Sequence, residues 1–260
     1  TKNFFCPDAA VDIRIRASYN HILKLQTLEK RQAAMRFRNY PGQMSDSALV
    51  MIPLTLSGGL QDAYSYFMRD QVFANAQTGN IVLMSHELFS GNYGGCLRYL
   101  IPVLAFSLGV LAADLIRALR PGGGRVHWRQ LVLAGEILLL AAVGFIPARG
   151  NWLANALTSF ACAMQVQSFR VVNGSAYAST MCIGNLRSGI AHLSAALCHP
   201  DRRRLWEAGK YGGIILLFGL GAGLGSVLTP YLGLGTIWIS CALLGVDFLL
   251  MLGPKGDSSR

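Results

Sequence analysis

From Ala48 onward the chain alternates long apolar runs with short polar connections. Eight apolar segments stand at about 48–68, 74–90, 97–116, 131–148, 152–169, 175–195, 211–229 and 232–252. A helix needs about 20 predominantly apolar residues to cross a bilayer. Tyr211 to Val246 runs 36 residues without an Asp, Glu, Lys or Arg, enough for two spans with Pro230-Tyr231-Leu232-Gly233 as the turn between them. Two segments are poor spans. Segment 74–90 holds Asn75, Gln77, Thr78, Asn80, His86 and Glu87, and segment 175–195 holds Ser175, Ser179, Thr180, Asn185, Arg187 and His192. Polar groups at membrane depth are costly unless they face protein or a wet cavity.

Basic residues in the connections choose between two topologies. If all eight segments cross, six connection Lys and Arg fall on each side. If 74–90 and 175–195 instead enter and leave on one side, nine fall inside and only Arg69, Arg98 and Arg149 outside. The second arrangement obeys the positive-inside rule. The pattern therefore predicts an all-α integral membrane protein with six transmembrane helices plus two re-entrant or broken polar helices.

Composition agrees: of 260 residues, 52% are apolar and only 14% charged, against roughly 25% charged in soluble domains. The net charge of +10 is spread over the N-terminal segment and the connections, with no aromatic-basic platform, which excludes a nucleic-acid partner. Six scattered cysteines form no disulfide framework. Residues 1–47 carry eight of the 23 basic residues and lack a signal-peptide core. They read as a cytoplasmic tail, with a short basic amphipathic helix around Leu23, Leu25 and Leu28 as the alternative. The membrane domain is then 48–253, followed by a cytoplasmic tail at 254–260.

The two polar segments resemble each other. Thr78-Gly79-Asn80-Ile81 answers Ile183-Gly184-Asn185-Leu186 at a spacing of 105, and Gln61 answers Gln165 at 104. Each half, about 48–148 and 152–252, reads as span, polar segment, span, span. Three crossings per half invert the second half, an arrangement typical of secondary transporters with sites on discontinuous helices.

The stretches Gly59-Leu60-Gln61-Asp62-Ala63 and Phe73-Ala74-Asn75-Ala76-Gln77-Thr78-Gly79-Asn80 resemble the motif of the YoaK-like bacterial membrane proteins. Met164-Gln165 through Arg170, with Ser179-Thr180 and Gly184, is similar to that family's second-half motif over a resemblance spanning about 48–252. Val166 and Ile183 depart from it, standing where Asn and Thr are usual. The resemblance implies the bacterial inner membrane, with both termini cytoplasmic on the topology above, and it supplies no substrate.

Among single residues, Asp62 lies deep in the first span. It reads either as a proton or sodium carrier, or as the partner of an intramembrane arginine that fixes packing. Arg187 needs an anion, and Asp62 is the attractive protein partner; the alternative is snorkelling to headgroups. Asn75, Gln77, Thr78, Gly79 and Asn80 mark a break whose freed backbone groups can hold a polar solute, with Gly79 as its flexible point. Gln61, Gln165, Thr180, Gly184 and Asn185 complete the expected binding set. The structural alternative is that these amides only bond neighbouring helices. Glu136 and Asp247 are isolated acids in apolar spans, each open to a relay or a capping role. Gly219, Gly221, Gly223 and Gly225 read as a packing stripe.

No zincin motif, nucleophile elbow, phosphate loop or Cys/His cluster occurs, and no cofactor is implied. The sequence thus points to a transporter or exporter of a small polar, anionic solute in the lipid bilayer. A passive channel, and a membrane-embedded enzyme or accessory protein acting on lipid, are the alternatives; a homo-oligomer stays open.

Overall fold

The computed structural model describes residues 47–119, 127–172, 175–176, 180 and 182–252. The basic N-terminal segment up to residue 46, and the tail 254–260, lie outside the described residues. Among the described residues eight helices follow one another: α1 (Ala48–Met68), α2 (Gln77–Phe89), α3 (Tyr93–Leu119), α4 (Trp128–Val143), α5 (Asn151–Ser168), α6 (Cys182–Cys198), α7 (Arg202–Leu232) and α8 (Ile237–Leu252). Single 3-10 turns at Ala148–Gly150 and Gly233–Thr236 precede α5 and α8.

Local chemistry sets several ends. The Ser47 hydroxyl accepts from Val50 N, and the Asp201 carboxylate accepts from Arg203 N, each at a helix start. His127 and Gln130 close a reciprocal capping box on α4. Gly233, at φ +56°, ends α7 in the left-handed region.

Two expectations shift. Among the described residues of segment 175–195, helix begins at Cys182. Before it, β1 (Val171–Val172) and β2 (Ser175–Ala176) pair antiparallel, Val171 opposite Ala176 and Val172 opposite Ser175. The β-branched valines favour that hairpin over helix. Segment 211–229 extends back to Arg202, because Asp201–Arg204 and Glu207–Lys210 pair at i,i+3 along a charged first stretch. Two helical stretches, Tyr93–Leu119 and Arg202–Leu252, are long and apolar enough to cross a membrane.

The packing comes in matched pairs. α1 lies against α7 as α5 lies against α3, and α2 rests on α3 as α6 rests on α7. α1 also meets α8 as α5 meets α4, while α4 and α8 pack on each other. Two glycines make the closest crossings. A Cβ on Gly221 of α7 would run into the Leu56 carbonyl of α1, and one on Gly109 of α3 into the Phe160 carbonyl of α5. Leu56 and Phe160 stand 104 apart, the spacing of Gln61 and Gln165.

The apolar core gathers Leu54 and Tyr64 of α1, Leu133 and Leu140 of α4, Ala161 of α5, and Ile237 and Leu244 of α8. The outer faces are apolar too: Leu104, Leu108, Leu216 and Leu220 are each more than half exposed.

Candidate functional site

The connection from α1 to α2 folds back on α1 and is clamped from both sides. On α1, the Asp62 carboxylate accepts from Asn75 N at 2.7 Å, and the Ser65 hydroxyl accepts from Ala74 N at 3.1 Å. The Asn75 amide donates to the Gly58 carbonyl at 3.2 Å. From α2, Asn80 holds the backbone of Phe73 twice, accepting from its N–H at 3.0 Å and donating to its C=O at 2.7 Å. Gln77 accepts from the Asn80 amide at 2.9 Å and donates to the Ala74 carbonyl at 2.8 Å. The broken backbone's polar groups are thus met by side chains, as a buried irregular segment requires.

Three of the expected site residues have particular surroundings. Asn80 is fully buried and spent on Phe73. Gly79 is less a flexible point than a clearance, since a Cβ there would come within 2.9 Å of the Phe73 ring, which stacks on Tyr66. Arg187 is exposed on α6, and no ion pair with Asp62 exists among the described residues. The Asp62 carboxylate sits instead beside the start of α2, where the helix dipole and free amides favour an anion. Of the remaining set, Thr78 and Gly184 are exposed, Asn185 and Thr180 are buried, and nothing crowds Gly184.

Gln61 and Gln165 occupy the crossing of α1 and α5. Gln61 donates to the Ser57 hydroxyl at 2.8 Å and accepts from the Cys162 thiol at 2.6 Å. Gln165 donates to the Leu54 carbonyl at 3.0 Å. Cys162 lies within electrostatic reach of both Asp62 and Glu136, and Glu136 within reach of Asp247. A line of polar side chains thus runs through the interior from the clamped connection to two acids that sequence reasoning left unassigned.

Arg69 was also missed. Expected in an outer connection, its side chain is fully buried. Its guanidinium donates to the carbonyls of Val143 and Ile146 at 2.8 Å each, to Asn151 Oδ1 at 2.9 Å and to Tyr64 Oη at 2.9 Å. Asn155 donates to the Arg69 carbonyl at 2.6 Å, and Asn151 to Asp70 at 2.8 Å. Asp70 and Gln71 hold the reversal at φ +64° and +58°. Arg69 therefore ties the end of α4 and the start of α5 to the end of α1.

The interior polarity, the helical frame and the paired packing define a helical protein with apolar stretches of membrane-crossing length. The model of the family described as "Protein of unknown function (DUF1275)" matches residues 50–250, and the chain belongs to that family. No curated protein and no solved structure shows a significant match to it.

Proposed function

We propose that the protein is a secondary transporter of a small polar solute, embedded in the bacterial inner membrane. On this reading α1, α3, α4, α5, α7 and α8 cross the bilayer, and the two halves are related as an inverted repeat. α2, at 13 residues the shortest of the described helices, rises about 20 Å, and the polar residues of α2 and α6 mark these two as the re-entrant pair. The matched packing pairs and the two glycine crossings support the repeat.

One observation carries the reading: the polarity runs from inside to outside. Asp62, Gln61, Gln165, Glu136 and Asp247 are buried while leucines face outward. Hydrocarbon as solvent permits that distribution, and polar side chains there mark solute or ion pathways. The expected anionic character leaned on Arg187, whose exposure removes its support, so the proposal is for a polar solute without a stated charge.

Sidedness tests the frame directly. Cys96, at the start of α3, and Cys198, at the end of α6, are native probes of opposite faces. A membrane-impermeant thiol reagent should label Cys96 from outside the cell and Cys198 only in inside-out vesicles. Labelling of both from one side rejects the inverted arrangement. Uptake of labelled polar solutes into proteoliposomes, lost in Asp62→Ala, then tests transport itself.

A further inference from the structure

Glu136 and Asp247 are both fully buried, and none of their four carboxylate oxygens makes a hydrogen bond within 3.5 Å; the Gln61 side chain is the one amide near Glu136, and Asp247 has no such neighbour among the described residues. They are equivalent in the two halves. Leu133-Ala134-Gly135-Glu136-Ile137-Leu138-Leu139-Leu140 of α4 matches Leu244-Gly245-Val246-Asp247-Phe248-Leu249-Leu250-Met251 of α8 at a spacing of 111. The helices run antiparallel. Gln130 donates to the Met251 carbonyl at 3.0 Å, Cys241 to the Ile137 carbonyl at 3.7 Å and Trp238 to the Ala141 carbonyl at 3.2 Å. That register puts Glu136 level with residues 242–244 and Asp247 about one turn further along, a rise of roughly 5 Å. Both lie on the inward face that carries Leu133, Leu140, Ile237 and Leu244.

Two ionised carboxylates in such a place would be uncompensated, which costs several kcal/mol per charge. A static packing role would be served by a partnered acid or by an amide. Among the described residues no group of three or more His, Cys, Asp or Glu converges as metal ligands, which suits a monovalent cation. The titratable groups facing the pair are Cys162 of α5 and, on α8 itself, Cys241, with Asp62 of α1 beyond Cys162.

We propose that Glu136 and Asp247 form a two-carboxylate site at the contact of α4 and α8 that binds one compensating monovalent cation, a proton or sodium. The site deepens the transporter reading, resting on it only for what the bound cation drives.

The test uses the full purified chain in detergent, with melting followed by tryptophan fluorescence. Sodium chloride is titrated against choline chloride at fixed pH, and pH is varied in choline alone. The parent should gain about 3 °C or more, either with roughly 100 mM sodium or with falling pH, and the effective arm names the cation. Glu136→Gln and Asp247→Asn should each lose most of that gain, and the double variant all of it. In choline at high pH the double variant should melt above the parent, because it no longer buries these two uncompensated carboxylates. Asp114→Asn, which alters an exposed carboxylate, should keep the full response. A parent that responds to neither cation, or a response surviving in the double variant, overturns the site. Cation response without solute flux in proteoliposomes sinks the transporter reading alone; flux without cation response sinks the site alone.

Discussion

Arg69 and the Glu136–Asp247 pair are equally buried and oppositely served. Arg69 donates to two carbonyls, an amide oxygen and a phenol; the two acids make no hydrogen bond within 3.5 Å, and only Glu136 has an amide, that of Gln61, nearby. Folding alone explains the first, because a buried cation is tolerable once its donors are met. Folding does not explain the second, where amides of the same shape would cost less. A satisfied polar group deep in a helical bundle reads as architecture, and a pair without close partners at the contact of α4 and α8 reads as a place for something that comes and goes.

The comparison breaks most visibly at Arg69. Arg69→Met keeps much of the stem but leaves the Ile146 carbonyl and the Asn151 amide oxygen without the guanidinium, and the Val143 carbonyl with only the Ile146 N–H. Stability should fall by about 3 kcal/mol or more, read as a large drop in melting temperature. Glu136→Gln, by contrast, should leave the fold intact. If the two variants destabilise alike, the distinction between architectural and exchangeable sites collapses.

A smaller effect probes the frame. Gly109→Val and Gly221→Val push a side chain into the facing carbonyls of Phe160 and Leu56. Overpacking of this kind costs about 1–3 kcal/mol. On the proposed repeat the two variants should lose similar amounts; a loss confined to one would count against that repeat.

The frame was largely legible in the sequence, because apolar runs are the requirement that hydrocarbon or a helical core imposes. Helix starts were less so: Arg202–Lys210 is helical through i,i+3 charge pairs that an apolar count passes over. The buried Asp62 stood out, yet its partner did not. Arg187 carried the complementary charge, whereas the group that occupies the carboxylate is the Asn75 amide, which backbone folding alone brings near. Arg69 was hidden for the same reason, its acceptors being carbonyls more than 70 residues away in sequence. The proposed Glu136–Asp247 match escaped because its spacing of 111 differs from the 104 of Gln61 and Gln165 and the 105 of the two Gly-Asn motifs. Connections of unequal length shift the offset, so the match surfaces only once α4 and α8 are seen packed together.

At the clamp, Asn80→Ala should cost about 1–2 kcal/mol, because the Phe73 N–H and C=O lose both their partners. Asn80→Asp keeps the acceptor and loses the donor, so the structural role predicts an intermediate melting temperature for it. A solute-binding role predicts instead that both variants melt like the parent while solute response disappears.

The smallest effect belongs to the residue that looked most telling in the sequence. Arg187 is exposed on α6 two positions past the buried Asn185, and Asp62 is occupied by Asn75 N. Arg187→Gln should therefore change stability by less than about 0.5 kcal/mol and leave the cation response of Glu136 and Asp247 unaltered. Asp62→Ala should lose more, roughly 1–3 kcal/mol, by stripping an acceptor from the clamped connection. A double variant of Asp62 and Arg187 should show additive losses, as sites without a shared partner do. Coupling of 1 kcal/mol or more between them would mean that the ion pair forms in another conformation of the protein, and the clamp would then be one of two states of the connection.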